Sequence, residues 1–164
     1  MPERPVIRVV PVDHEMRPAL LRLRVRPAQL DYVGAIDSLL ANAALCPGSE
    51  PMAILHGVTP VGYYRLEANA RSEAGHDFEV PALGLRTFLI DADWQGRGIA
   101  TVALTALVAD LVMRHPVARL LVLTVNRNNH AALHLYLLAG FHYSGELYHG
   151  GRSGPQHLLL RVLP

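Results

Sequence analysis
Apolar residues along this chain gather in short runs broken by glycine, proline and polar clusters, and the period within each run separates strand from helix. Ile7 to Val12 reads as a first strand, followed by a helix around Glu15 to Arg24 that Pro27 interrupts. A second helix is expected over Ile36 to Leu45, with Asp37 and Ser38 near its start. Met52 to His56 and Val61 to Leu66 read as paired strands about a turn at Gly57 to Pro60, and Arg71 to Pro81 is polar enough for a loop. A strand from Leu83 to Ile90 then leads into a helical run from Ile99 to Met113. The apolar run Leu120 to Val125 precedes an Ala/Leu-rich helix that stops at Gly140, and Phe141 to Tyr148 and His157 to Val162 read as closing strands. The order is β-α-α-β-β-β-α-β-α-β-β, without internal repeat, and an α/β (α+β) domain is expected.

Composition narrows what such a domain does. At 164 residues and 51% apolar, the chain suffices for one well-packed domain over 1–164 and is short for two. The net charge is +1, and no basic run or RNA-reading aromatic motif stands out, so no nucleic-acid partner is expected. With no apolar stretch of about 18 residues and no signal-peptide pattern, no membrane partner is expected and a cytoplasmic location is. Cys46 is alone, so an internal disulfide is excluded.

Chemistry concentrates at Gln95-Gly96-Arg97-Gly98-Ile99-Ala100, between strand and helix. Two glycines let the backbone curl, and a helix start leaves N–H groups without intrahelical partners and adds about half a positive charge from its dipole. An anion such as phosphate or pyrophosphate is the natural guest, with Arg97 in reserve. The hexapeptide completes no G-x-G-x-x-G, and it lacks the Lys-Ser or Lys-Thr of a P-loop. Further on, Asn126, Asn129, Ala132, Leu135, Tyr136, Gly140 and Phe141 mark a second patterned segment. Asn129 and Tyr136 are seven positions apart, which places them within roughly 20° on one helix face, two turns from each other.

The first segment resembles the Q/R-x-x-G-x-G/A pyrophosphate loop of the GNAT superfamily of N-acetyltransferases, and the second resembles that family's N-x-x-N-x-x-A-x-x-L-Y-x-x-x-G-F pattern. The element order is also the GNAT order, so the resemblance covers nearly the whole chain. It implies a mixed central sheet of about seven strands flanked by four helices, with acetyl-CoA as cosubstrate in a cleft between splayed central strands. It implies that the Phe88, Leu89 and Ile90 backbone holds the pantetheine arm while Gln95, Gly96, Arg97, Gly98, Ile99, Ala100 and Thr101 hold the pyrophosphate. Asn126 and Asn129 are expected beside the cofactor, and Tyr136 as the general acid that protonates the leaving thiolate, a role its ordinary pKa near 10 permits.

Val25 to Gln29, Ser38-Leu-Leu, Val61-Gly-Tyr-Tyr, Phe88 to Asp91 and Gly140 to Glu146 look like the bacterial spermine/spermidine (diamine) acetyltransferase branch. A small-molecule amine acceptor follows, polyamine-like or otherwise small, and a homodimer is compatible. Glu67, Glu73, Asp77 and Glu79 are expected around a loop flanking the acceptor channel, where carboxylates attract a cationic amine. The glutamate base of many family members is replaced at the corresponding positions by Arg86 and Thr124, which leaves Glu67 as the favoured base, with Asp91 or a histidine-ended water chain as alternatives. A non-catalytic acyl-CoA-binding module and a protein N-terminal acetyltransferase stay open. His130 and His134 are four apart but lack a Glu or Cys partner, so no metal site is expected. The stretch Gly150 to His157 is expected at the acceptor mouth, at a dimer contact, or as a plain loop.

Overall fold
The computed structural model describes residues 6–29, 35–149 and 154–164. Seven strands form one sheet in the order β1-β2-β3-β4-β5-β7-β6. They are β1 Ile7–Pro11, β2 Ser49–His56, β3 Thr59–Glu67, β4 Ala82–Ile90, β5 Leu120–Asn126, β6 His142–Tyr148 and β7 Gln156–Val162. All neighbours are antiparallel except β4 and β5, which run parallel and join the two halves. Among the described residues, four helices flank the sheet, α1 Arg17–Leu20, α2 Ile36–Leu45, α4 Ile99–Arg114 and α5 His130–Leu138, and a single turn α3, Arg71–Ala74, sits in the loop between β3 and β4.

Burial follows the sequence pattern. Helix α4 buries Ile99, Ala103, Leu104, Leu107 and Leu111, one stripe of its surface, against Met52, Ile54, Tyr64, Leu66, Leu121 and Leu123. Leu133 and Tyr136 of α5 join the same core cluster. A second core, formed by Leu20, Leu23 and Leu40 with Ala53, Leu55, Tyr63 and Leu89, belongs to α1 and α2. Strand β5 is buried at nearly every position, as expected for a central strand covered on both faces.

The first helix is shorter than its apolar spacing suggests. A 3-10 turn at His14–Met16, capped by Asp13, precedes α1, which ends at Leu20. Beyond it, the Arg24 N–H donates to Asp91 Oδ1 at 2.7 Å and the Arg24 carbonyl accepts from Ala92 N–H at 2.6 Å. These bonds to the end of β4 replace the helical ones that a longer α1 would make. No described helix is long and apolar enough to cross a membrane.

Candidate active site
The parallel pairing of β4 and β5 covers only Ala82 to Gly84 against Leu120 to Val122. Both strands continue, β4 to Ile90 and β5 to Asn126, but β4 then has a ladder partner only in β3. The β5-facing edge of residues 85–90 is thus a row of backbone donors and acceptors without a strand beside it. Such an edge is suited to an extended ligand that supplies its own amides.

Within this edge the chain departs from regular β geometry. Two steps along β3, Tyr63 to Arg65, oppose three along β4, Leu89 to Arg86, so β4 carries one extra residue in a bulge. Thr87 sits there with φ 53°, a left-handed conformation unfavourable for a β-branched residue, and its buried hydroxyl has no hydrogen-bond partner. Strain of this kind costs on the order of 1–3 kcal/mol and concentrates where backbone groups are aimed at a ligand.

The cleft beside the free edge has a volume of about 180 Å³. Phe88, Leu89 and Ile90 form one wall and Asn129, Ala132, Leu135 and Tyr136 the other, with Val25, Gln29, Gln95 and Ala100 closing the end. Its lining holds amides, one phenol and apolar groups, with no charged side chain. Asn129 caps α5, its Oδ1 accepting from Ala132 N–H at 3.3 Å, which leaves the amide NH2 as a donor at the cleft wall. Tyr136 is 9% exposed and held edge-on between Phe88, 6.3 Å between centroids, and Phe141, 5.5 Å. Its hydroxyl makes no hydrogen bond among the described residues, and burial pushes its pKa above the usual tyrosine value. It remains a neutral proton donor throughout the physiological range.

At the far end of β4 the turn leads into α4. Gly96 and Gly98 have φ 77° and 76°, which glycine adopts without penalty, and a Cβ at either meets nothing within 4 Å. It is the backbone conformation, and not space, that requires glycine here. Gly98 caps α4 without a side-chain bond, so the N–H groups of the first turn point out unpaired. Gln95 braces the turn: its Nε2 donates to the Ile90 carbonyl and to Gln29 Oε1, both at 2.9 Å. Arg97 is exposed and lies over the Trp94 ring, 4.8 Å from its centroid, so Trp94 acts as a platform for the cation.

The remaining expected residues fall elsewhere. Asn126 is buried and its Oδ1 accepts from Asn128 N–H at 2.8 Å, a turn-forming role outside the cleft lining. Ile99 is buried in the core, so only its backbone faces the turn. Thr101 is exposed in the first turn of α4. Glu67 lies outside the cleft lining and is 6% exposed. Ser49 Oγ donates to its Oε2 at 2.7 Å, while Oε1 pairs with the buried Arg65 and lies 4.0 Å from Arg86. Arg65 in turn donates to Ser49 Oγ and Asn42 Oδ1, so Glu67 is one member of a buried network that ties α2 to β2 and β3. Asp91 lies outside the cleft lining as well, and its Oδ1 accepts from Arg24 N–H.

The acidic loop lies away from this cleft. It joins the end of β3 to the start of β4, and Asp77 and Glu79 stand before Ala82, roughly 20 Å along the strand from Phe88 at 3.3 Å per residue. Asp77 pairs with Arg71 at 3.0 Å, and the Glu73 side chain lies outside the described residues, as do residues 150–153 of the glycine-rich stretch. His130 and His134 are both exposed on α5, and no group of three or more metal-ligating side chains is found among the described residues. Val25, Gln29 and the Thr87 bulge are features of the site that the sequence reading did not assign. The stretch Val25 to Gln29 is visible as a pattern, but the bulge leaves no signal in the Leu83 to Ile90 run.

Residues 17–141 match the model of the Acetyltransferase (GNAT) family. The chain is 29% identical over 147 residues to the Spermine/spermidine N(1)-acetyltransferase of Bacillus subtilis (strain 168), covering 90% of this chain and 95% of that one. The same values hold for the Probable spermine N(1)-acetyltransferase of Bacillus subtilis subsp. natto (strain BEST195). Among solved structures, the aminoglycoside acetyltransferase AAC(6')-Ib in complex with coenzyme A shares the fold with TM-score 0.73 at 19% identity, over 95% of this chain and 94% of that one. A spermidine N-acetyltransferase SpeG chimera from Vibrio cholerae and hSSAT gives 0.72 at 16%, over 95% of each. A family model that spans both halves of the sheet, from α1 to Phe141, agrees with the splayed strands and the glycine turn: the chain belongs to the Acetyltransferase (GNAT) family and is an acetyl-CoA-dependent N-acetyltransferase.

Proposed function
We propose that the chain moves the acetyl group of acetyl-CoA onto the primary amine of a small molecule, by direct attack with both substrates bound. The observation that carries this is the free edge of β4 beside Tyr136, ending at the Gly96 to Gly98 turn. The residues present fit the cosubstrate: an uncharged wall for pantetheine, a strand edge for its amides, and uncapped helix N–H groups for its pyrophosphate. Acetyl-CoA supplies a thioester whose carbonyl carbon takes the amine and whose thiolate leaves.

The protein's own groups do the rest. Backbone N–H groups of Gly98 to Thr101 hold the phosphates, with Arg97 adding its charge from the Trp94 platform. Phe88 to Ile90 and Asn129 align the pantetheine arm, and the bulge at Thr87 presents backbone donors beside the acetyl carbonyl. Tyr136 gives its proton to the departing sulfur and is reprotonated from water, while the proton lost by the amine passes to solvent. Spermine and spermidine are the first acceptors to try, because the relatives are named for them. Glu67 and Asp91 both lie outside the cleft lining, so no acidic lining supports that choice.

The test is thiol release from acetyl-CoA across spermidine, spermine, diamines, arylamines, amino acids and peptides, beside calorimetric titration of acetyl-CoA. Turnover with at least one amine class is expected. Tight binding without turnover on any amine points to a non-catalytic acyl-CoA module instead, and no binding overturns the reading of the Gln95 to Ala100 turn.

A further inference from the structure
A second cavity, about 410 Å³, opens on the α1 and α2 side of the end of β4. Leu21, Leu23, Ile36, Val25 and Leu89 give it an apolar wall, and Val25 and Leu89 also line the acetyl cleft. Val25 and Leu89 thus stand between the two cavities. Two charged residues line the second cavity, Arg24 and Asp37. The Arg24 backbone is pinned to Asp91 and Ala92 at the β4 end, so its guanidinium springs from a fixed point, and no described residue pairs with it. Asp37, in the first turn of α2, gives one oxygen to Ser38 N–H at 2.8 Å and keeps the other.

This charge pattern does not suit a polycation. A polyamine needs several carboxylates spaced along its length, whereas the lining of this cavity holds one, Asp37, and Arg24 repels an ammonium. A cationic group over an apolar wall matches a molecule with one carboxylate and a hydrophobic side chain.

We infer that the second cavity seats the acceptor and that the acceptor is a hydrophobic α-amino acid, its carboxylate on Arg24, its side chain against Leu21, Leu23 and Ile36, and its amine directed past Val25 and Leu89 to the acetyl group. The inference rests on the acetyltransferase reading. Arg24 has a second effect: by neutralising the carboxylate it removes the charge that keeps the neighbouring ammonium protonated, which eases release of the proton without a dedicated base. The amine nitrogen then forms the amide bond as the C–S bond breaks, the thiolate taking its proton from Tyr136.

Thiol release is measured with L-leucine, L-phenylalanine, L-leucinamide and spermidine, on wild-type protein and on Arg24→Gln and Arg24→Lys, with acetyl-CoA affinity followed by calorimetry in each. The expected result is kcat/KM at least about 10-fold higher for leucine than for spermidine. Arg24→Gln should cut leucine turnover about 10- to 100-fold, chiefly through KM, with partial rescue in Arg24→Lys and little change for leucinamide. Acetyl-CoA affinity should be unchanged in both variants. Preference for spermidine, or equal losses for leucine and leucinamide, overturns the amino-acid acceptor and leaves the acetyltransferase reading standing. Failure of the wild-type protein to bind acetyl-CoA overturns both.

Discussion
Tyr136→Phe separates the proposed catalysis from packing, because the ring and the hydroxyl have different surroundings. The ring packs edge-on against Phe88 and Phe141 and belongs to the main core, contacts that phenylalanine preserves. The hydroxyl has no protein partner among the described residues, so its removal breaks no hydrogen bond. Folding stability should change by no more than about 0.5 kcal/mol, or about 2 °C in Tm for a domain of this size. As general acid the same hydroxyl is worth about 10²-fold or more in kcat, equivalent to ~2.7 kcal/mol of barrier. The assay pairs thiol release at saturating substrates with calorimetric acetyl-CoA binding and thermal unfolding. The expected outcome is a kcat loss of about 100-fold or more with Kd and Tm nearly unchanged. A kcat within threefold of wild type refutes the acid, and a large drop in Tm that accompanies the loss of rate refutes the division of labour.

Three further outcomes follow from the same geometry. Glu67→Gln strips the buried Arg65 of its counter-charge, so stability should fall by about 3 kcal/mol while kcat changes less than about 10-fold; a 100-fold rate loss at unchanged Tm would restore Glu67 as base. Gly98→Ala meets no steric obstacle but must hold φ 76°, so about 1–2 kcal/mol of strain should appear as a roughly 10-fold weaker acetyl-CoA Kd in calorimetry, with kcat at saturation kept. Burial pushes Tyr63 up to about 12 and raises Tyr64 and Tyr136 as well, whereas unfolded tyrosine ionises near 10. Their stabilisation is complete below pH 10 and is lost as pH rises toward 12, at up to ~1.4 kcal/mol per pH unit for each; urea unfolding at pH 9 and pH 11 checks it, and equal midpoints would speak against neutral buried phenols.

What the sequence disclosed and what it withheld divide along a physical line. Local signals were sufficient for α2, which spans Ile36–Leu45 as expected, and for α5, whose Asn129 cap and Gly140 stop are both short-range devices. The glycine turn was legible for the same reason, since positive φ at Gly96 and Gly98 is a demand on single residues. Features that depend on distant pairing were not legible. Helix α1 is cut short by bonds from Arg24 to residues 67 and 68 positions away, which no local window contains. Glu67 read as a free carboxylate because Arg65, two residues along a strand, points to the same face only once the strand forms and Ser49 arrives beside it. The distance of the acidic loop from the cleft likewise depends on the length of β4.

The short parallel seam between β4 and β5 has a mechanical meaning as well as a catalytic one. Three residue pairs make the parallel ladder between the two half-sheets, extended at one end by Arg119 N–H to the Pro81 carbonyl, and toward Ile90 the fabric lies open. A ligand that threads the opening and bonds along residues 85–90 behaves as a surrogate strand, completing a sheet that the polypeptide leaves unfinished. The apo protein is then the molecule with its zip half drawn. Its amides along that edge should exchange with solvent faster than those of β2 and β3, and they should slow together when acetyl-CoA arrives. Ligand occupancy would raise the melting temperature by mass action and would also convert two loosely coupled halves into one cooperative unit, so the unfolding transition should sharpen as it shifts.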